Sequence, residues 1–184
     1  MDSLYKVLRK IYCRIFRHDP MKKYLRNGLV VGDNFNINYG VIIDPSHEWH
    51  IEIGNDVTLA PRVHILAHDA STKYYLNFTR IGKVKIGNRV FVGAGSIILP
   101  GVTIGDDVVI AAGSIVSRDI PGGCVAAGVP ARIICTIEDF LSRKRSEMNI
   151  SPNFGNEFAS SKTLTIDMKN EMNARMNNKI GYII

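Results

Sequence analysis

The stretch that decides the fold runs from residue 86 to residue 121 and reads IGNRVFVGAGSIILPGVTIGDDVVIAAGSIVSRDIP. An aliphatic residue stands in it at every sixth position, and the same step recurs earlier in the chain in two blocks of three. Gly or Ala often follows the aliphatic residue. The twelve aliphatic positions are Val31, Ile37, Ile43, Ile53, Leu59, Ile65, Ile86, Val92, Ile98, Ile104, Ile110 and Val116.

A period of six is incompatible with a helix. Six residues rotate a helix by roughly 600°, so the aliphatic side chains would be scattered over all of its faces. In short extended segments joined by tight corners, the same period returns each aliphatic side chain to one interior position. Three hexads then form a triangular coil, and stacked coils bury the inner face that a single coil leaves open. An ordinary β-sandwich would instead show alternation of period two and hairpin turns. The pattern predicts an all-β core, a parallel β-helix of about four coils.

The repeat breaks twice. Ten residues separate Ile43 from Ile53, and 21 residues separate Ile65 from Ile86. The second break contains residues 69–80, DASTKYYLNFTR, which begin immediately after His68. Insertions into a solenoid become loops on its side, and loops held by a rigid scaffold often carry functional sites. We therefore expect a site near His68.

Composition and charge narrow the class of protein. The net charge of +6 comes entirely from residues 1–27, because the remaining 157 residues hold 15 basic and 15 acidic side chains. A nucleic-acid-binding fold would spread its basic residues over a face or groove. No apolar run reaches the ~18 residues of a membrane span, and the N-terminus lacks the apolar core of a signal peptide. Three irregularly spaced cysteines predict neither a disulfide framework nor a zinc site. We expect a cytoplasmic protein.

Three segments are predicted along the chain. Residues 1–27 form a basic segment with an amphipathic helix at 3–17, which covers the open first coil, packs on a neighbouring subunit or contacts an anionic membrane surface. Residues 28–135 form the β-helix. Residues 136–184 form a C-terminal helical segment and tail, with a helix capped by Thr136 and a weaker one at 165–179.

Among the five histidines, His68 is the strongest catalytic candidate. It stands at the base of the large insertion, next to Asp69. A neutral imidazole can accept a proton at physiological pH. His50 lies 18 residues earlier, one coil away, so the two histidines could ligate zinc together with a third group. The break after Ile43 disturbs that register, and the sequence shows no third ligand. Motifs for nucleotide hydrolysis and for NAD binding are absent from the sequence.

The hexads of residues 86–121, the run AAGVPAR at 126–132 and the loop after His68 resemble the hexapeptide-repeat acetyltransferases. The similarity extends over about residues 29–135 and is greatest to the galactoside, maltose, nodulation-factor and capsular-polysaccharide O-acetyltransferase branch. This resemblance implies a homotrimer of left-handed β-helices with acetyl-CoA bound between neighbouring subunits, and no metal.

The resemblance also assigns residues. His68 matches the catalytic histidine, and Asn38 and Asp44 match residues that bind the acceptor. Ala94 stands where some relatives have serine, which leaves only its backbone for the pantetheine. The positions expected to line coenzyme A are Gly93, Ala94, Ala112, Ser117, Arg118 and Arg132.

The expected reaction is acetyl transfer from acetyl-CoA to a hydroxyl of a sugar or polysaccharide precursor. His68 would act as general base in a direct transfer, because no serine or cysteine is clearly paired with it. The sequence leaves open whether Asp44 or Asp69 orients the imidazole and which of them binds the acceptor. The alternatives are an amino-sugar N-acetyltransferase, a zinc enzyme like the γ-carbonic anhydrases and a non-catalytic assembly subunit.

Overall fold

A computed structural model describes residues 20–160 and 162–184, so the helix predicted at 3–17 lies outside the described residues. The chain divides into two compact units, with the boundary after Cys135. In the part of the chain that is described, no helix has both the length and the apolar character needed to cross a membrane.

The first unit consists mainly of two- and three-residue strands arranged in successive coils. Its first elements are α1 (Pro20–Arg26), β1 (Val30–Val31), β2 (Asn36–Ile37), β3 (Ile42–Ile43), β4 (Ile51–Ile53), β5 (Thr58–Leu59) and β6 (His64–Ile65). Strands β1–β3 form coil 1, and β4–β6 form coil 2. The loop after coil 2 contains β7 (His68–Asp69), α2 (Lys73–Leu76) and β8 (Arg80–Ile81). The later coils contain β9 (Val84–Ile86), β10 (Phe91–Val92), β11 (Ile97–Ile98), β12 (Thr103–Ile104), β13 (Val109–Ile110), β14 (Ile115–Val116), β15 (Cys124–Gly128) and β16 (Ala131–Thr136).

These strands form three sheets that run the length of the solenoid. Sheet 1 contains β1, β4, β9 and β12; sheet 2 contains β2, β5, β10, β13, β15 and β16; sheet 3 contains β3, β6, β11 and β14. The chain visits the sheets in the order 1, 2, 3, and successive coils pair in parallel. The predicted all-β core and parallel β-helix are therefore confirmed.

The hexad positions form the core. Ile37, Leu59, Val92 and Ile110 are aligned by strand pairing, so equivalent aliphatic side chains stack from coil to coil. Ten of the twelve positions are buried, and Val31 and Ile37 in the first coil are half-buried. Each fully buried aliphatic side chain contributes about 1.5–3 kcal/mol to stability. The period of six therefore creates one continuous apolar interior.

The edge between sheets 1 and 2, here called the ladder edge, is held by side chains that bond to the neighbouring coil. The Asn55 side-chain oxygen accepts from the Asp33 N–H at 2.7 Å, and that of Asn88 accepts from the Asn55 N–H at 2.9 Å. Asp106 accepts from the Asn88 N–H at 2.7 Å. These bonds fix one coil relative to the next.

The edge between sheets 2 and 3, here called the glycine edge, turns through a left-handed residue in each coil. Gly40, Gly95 and Gly113 occupy this corner with φ of +74°, +70° and +70°. In coil 2 the equivalent residue is Arg62, with φ of +62°. A side chain in this conformation strains the backbone, whereas glycine adopts it readily.

The edge between sheets 3 and 1, here called the loop edge, carries both interruptions of the repeat. The bulge, residues 45–50, follows β3 and contains a 3₁₀ turn at Glu48–His50. The loop, residues 69–80, follows His68 and is closed at its base by the antiparallel pairing of β7 with β8. Because β3 and β6 are neighbours in sheet 3, the two insertions leave the solenoid one coil apart.

The second unit, Thr136–Ile184, contains α3 (Ile137–Asn149), β17 (Asn153–Phe154), a 3₁₀ turn at Asn156–Phe158, α4 (Ile166–Met176) and β18 (Tyr182–Ile183). Thr136 caps α3 by accepting from the Asp139 N–H at 3.1 Å, as the sequence predicts. The rings of Phe154 and Phe158 pack edge to face with centroids 5.3 Å apart.

Candidate active site

His68 lies at the start of β7, where coil 2 gives way to the loop. Its Nδ1 lies 2.5 Å from Oδ2 of Asp44, which follows β3 in the coil next to it. Asp44 is fully buried, whereas the side chain of His68 is 32% exposed. One nitrogen of the imidazole is therefore held by a buried carboxylate while the ring still reaches solvent.

Asp44 is surrounded by donors. Its Oδ2 also accepts from the N–H groups of Ala67 and His68 at 2.9 and 3.0 Å. Its Oδ1 accepts from the Ser46 N–H at 3.1 Å and from the Ser46 hydroxyl at 3.0 Å. Burial raises the pKa of Asp44, but the hydrogen bonds from His68, Ala67 and Ser46 outweigh it, so the pKa lies below the usual 3.8.

An ionised Asp44 fixes the protonation of the neighbouring ring. A carboxylate only accepts hydrogen bonds, so the contact places the proton of a neutral His68 on Nδ1 and leaves Nε2 as an acceptor. A base with its second nitrogen held in this way is ready to remove a proton from a hydroxyl. The chemistry that this pair supports is general-base catalysis.

His47, in the bulge, packs on the same imidazole. Its ring centroid lies 4.8 Å from that of His68, with 29° between the ring planes. Among the described residues, Asp44, His47 and His68 form the cluster with ligand atoms close enough to hold a metal ion. His50, which the sequence places one coil from His68 as a possible zinc ligand, is not in this cluster.

Asp69 is engaged elsewhere. Its Oδ1 accepts from the Ser71 N–H at 2.9 Å, and its Oδ2 lies 3.5 Å from Nη1 of Arg80 on the opposite strand of the loop. The hydrogen bonds from Ser71 lower the pKa of Asp69, and the nearby Arg80 adds to that effect. Of the two carboxylates that the sequence left open, Asp44 makes the contact with the imidazole and Asp69 fastens the base of the loop.

The remaining candidate residues occupy two different edges. Asn38 follows β2 on the glycine edge, and its Nδ2 donates to the Leu59 carbonyl at 3.0 Å. Asp44, His68 and Asp69 lie on the loop edge, across sheet 3 from Asn38. A single chain therefore does not bring Asn38 beside the imidazole.

The residues expected to line coenzyme A divide in the same way. Ala94 and Ala112 are exposed on the glycine edge in adjacent coils, whereas Gly93 is buried there. A Cβ at Gly93 would lie 2.4 Å from the Ala112 nitrogen, so this glycine is required by coil packing.

The other expected coenzyme A residues lie elsewhere. Ser117 and Arg118 are exposed on the loop edge after β14. Arg132 is exposed on β16, where Nη1 donates to the Ala131 carbonyl at 2.9 Å.

Sequence reasoning missed the roles of Ser46 and His47. Both lie in the bulge, whose presence the ten-residue step had indicated. The available signal was that the bulge and the loop interrupt the same edge in successive coils, which predicts that their side chains meet.

The comparisons with known proteins agree with the repeat. Residues 83–118 match the family described as bacterial transferase hexapeptide (six repeats). YvoF of Bacillus subtilis, whose name calls it an acetyltransferase, is 37% identical over 139 residues, which are 72% of this chain and 78% of YvoF.

Two solved structures are similar as well. A maltose O-acetyltransferase from Clostridium difficile 630 superimposes with a TM-score of 0.54 at 44% identity, covering 59% of each chain. A galactoside acetyltransferase in complex with coenzyme A gives a TM-score of 0.56 at 39% identity, covering 62% of this chain and 58% of that one. The chain thus spans less than three fifths of the length of both crystallised relatives.

Proposed function

Since the chain belongs to the hexapeptide-repeat acetyltransferases, built on left-handed parallel β-helices, we propose that it acetylates a hydroxyl group of a sugar or polysaccharide precursor with His68 as general base. It is an acyltransferase, and acetyl-CoA is its co-substrate. The observation that carries the proposal is the contact between Nδ1 of His68 and the buried carboxylate of Asp44.

In the proposed reaction His68 acts through Nε2. This nitrogen takes the proton of the acceptor hydroxyl as its oxygen bonds to the thioester carbonyl carbon. The carbon–sulfur bond then breaks, and the imidazolium returns the proton to the thiolate of coenzyme A. Asp44 stabilises the imidazolium in between and keeps the ring oriented. Asp44 is thus a positioning residue, because its oxygens are already occupied by five donors.

The glycine edge fits the pantetheine arm of the co-substrate. A Cβ at Gly95 or Gly113 would meet no atom within 4 Å, so this strip is open. Ala94 and Ala112, which flank the strip, carry only methyl groups. An extended arm with two amides can lie along such a strip and bond to its backbone. We assign Arg118 and Arg132 to the phosphates of coenzyme A, for which guanidinium groups are well suited.

The distribution of these residues over two edges supports a homotrimer. Ala94 and Ala112 lie on the glycine edge, whereas His68 and Arg118 lie on the loop edge. One coenzyme A molecule reaches both sets when the glycine edge of one subunit lies beside the loop edge of the next. The outer face of sheet 3, between these edges, presents Ile42, Ile97 and Ile115, with His64 between the first two, a largely aliphatic surface suited to subunit contact.

The acceptor would bind in the same seam. Asn38 on the glycine edge is exposed, and its side-chain oxygen is available to accept from a sugar hydroxyl. Asp69 lies on the loop edge next to His68 and is half-buried. We propose that these two residues contact the acceptor hydroxyls from opposite sides of the seam.

The decisive experiment replaces His68 by alanine. Initial rates of thiol release from acetyl-CoA are measured with a panel of sugars, amino sugars and serine. We expect a loss of about 10²–10⁴-fold in kcat, with the thermal stabilisation by coenzyme A retained. Substantial turnover by a folded His68→Ala enzyme would remove His68 from its role.

The proposed homotrimer is tested by light scattering, in which the wild-type protein should give the mass of three chains.

A further inference from the structure

A row of aromatic rings leads away from His68 along the bulge. His47 packs on His68, and the indole of Trp49 follows with its centroid 5.3 Å from the ring of His47. His50 lies beside both, 5.4 Å from Trp49 and 6.0 Å from His47, so the three rings of the bulge form a triangle next to His68. The bulge therefore presents stacked and tilted rings that begin at the proposed base.

Trp49 is the most exposed ring of the bulge. Its side chain is 55% exposed, although it is the largest side chain of the bulge. The residue before it, Glu48, is only 1% exposed. The bulge thus turns a charged side chain inward and an indole outward, which is the reverse of the usual preference of both residue types.

The inward side chain holds the bulge in place. Oε1 of Glu48 accepts from Nδ2 of Asn27 at 2.9 Å. The Cβ of Trp49 lies against Gly28, where an added Cβ would approach it to 2.9 Å. These contacts tie the 3₁₀ turn to the segment before coil 1, so the indole is presented by an anchored element.

The chemistry of the row matches a carbohydrate. A pyranose ring has one face of C–H groups, which packs on an aromatic ring, and a rim of hydroxyls, which bond to imidazole and indole nitrogens. The row offers both kinds of contact, since two histidines flank the indole.

The length of the row indicates the size of the ligand. Steps of 4.8 Å and 5.3 Å place the indole no more than about 10 Å from the ring of His68. That limit lies within the span of two linked sugar rings. An acceptor whose first ring offers its hydroxyl to His68 would therefore reach Trp49 with its second ring.

We propose that Trp49 is a specificity-determining residue that stacks on the second sugar ring of a disaccharide or longer acceptor. This inference rests on the proposed acetyl transfer to a sugar. It assigns the bulge, residues 45–50, to acceptor selection, with His47 between the reacting ring and the stacked one.

The chain contains a single tryptophan, so fluorescence excited at a wavelength that its seven tyrosines do not absorb reports on Trp49 alone. Wild-type protein is titrated with galactose and glucose and, separately, with lactose and maltose. We expect the disaccharides to change the emission in a saturable manner at concentrations at which the monosaccharides do not. This measurement needs no turnover.

Kinetics of three variants complete the test. Trp49→Ala should raise the KM for the disaccharide about tenfold, with little change for the monosaccharide and none in the KM for acetyl-CoA. Trp49→Phe should restore most of the loss. The control is Phe91→Ala, which removes an exposed aromatic ring from the outer face of sheet 2, outside the row.

A Trp49→Ala enzyme whose KM ratio between disaccharide and monosaccharide equals that of the wild type would overturn the inference. A reduced oligomeric mass of the same variant would then assign Trp49 to a subunit contact. A wild-type enzyme that acetylates none of the sugars contradicts the proposed function instead, while the fluorescence titration still tests whether Trp49 binds them.

Discussion

Replacing Asp44 by asparagine tests the geometry of the site most directly. The variant keeps the size and shape of the side chain but removes its charge and turns one acceptor into a donor. Oδ2 of Asp44 accepts from three groups and Oδ1 from two, so the amide oxygen should take the Oδ2 position. The amide NH₂ then faces the Ser46 N–H, and one buried donor is left without a partner.

The catalytic cost follows from the charge. An imidazolium and a carboxylate in contact, with charge centres about 4 Å apart, attract each other by about 4 kcal/mol at an effective dielectric constant of about 20. A neutral hydrogen bond retains about 1 kcal/mol. The difference of about 3 kcal/mol corresponds to a loss of about 10²-fold in kcat. The free energy of unfolding should also fall by about 1–3 kcal/mol, because a buried donor is unsatisfied.

The assay is the initial rate of thiol release at saturating acetyl-CoA, with kcat and the acceptor KM determined separately. The matched control is Asp106→Asn, because the ladder edge already carries asparagine at the equivalent positions 55 and 88. We expect the control to retain wild-type rate and stability. A folded Asp44→Asn enzyme with kcat within twofold of wild type, or one altered only in acceptor KM, would refute the orienting role.

Three further predictions concern stability. Arg62→Gly should raise the free energy of unfolding by about 1 kcal/mol in chemical denaturation, because it relieves a left-handed corner at which the other coils have glycine; an unchanged or lower value would contradict the strain. Gly87→Ala should lower the free energy of unfolding by at least about 2 kcal/mol, since the new Cβ would lie 2.3 Å from Oδ1 of Asp106. An unchanged free energy of unfolding would mean that the side chain of Asp106 can move aside. The lowered pKa of Asp44 means that its carboxylate contributes stability above the ordinary value of 3.8 and loses it as the pH falls below it. Wild type should therefore lose stability relative to Asp44→Asn in that range, and a pH-independent difference in the two unfolding curves would exclude this contribution.

The core could be predicted from sequence because a solenoid repeats one environment. Each hexad position faces the same interior, so the twelve aliphatic residues report the fold without knowledge of any distant contact. All three hexad positions of the first coil pair with a coil on one side only, yet Ile43 is fully buried whereas Val31 and Ile37 are half-buried. The periodic pattern therefore predicts which way a side chain faces more reliably than how deeply it is buried.

The site was predictable only in part, because it depends on the interrupted coils. Asp69 is next to His68 in sequence, yet its oxygens contact Ser71 and Arg80, so adjacency alone could not decide which carboxylate meets the imidazole. Asp44 reaches the imidazole from 24 residues away, through a break that disturbs the register. Trp49 and His47 could not be oriented from sequence, because a 3₁₀ turn inside a bulge follows no repeat.

Both interruptions leave the solenoid at a single edge, one coil apart, while strand pairing continues beneath them. The repetitive rod and its reactive attachments are therefore separable modules. Residues 45–50 lie outside the paired strands, so positions other than the anchoring Ser46 and Glu48 can vary while the strand pairing of the three sheets is kept. With the role proposed for Trp49, exchanging residues 45–50 between relatives is expected to change acceptor selectivity and to leave the coils intact.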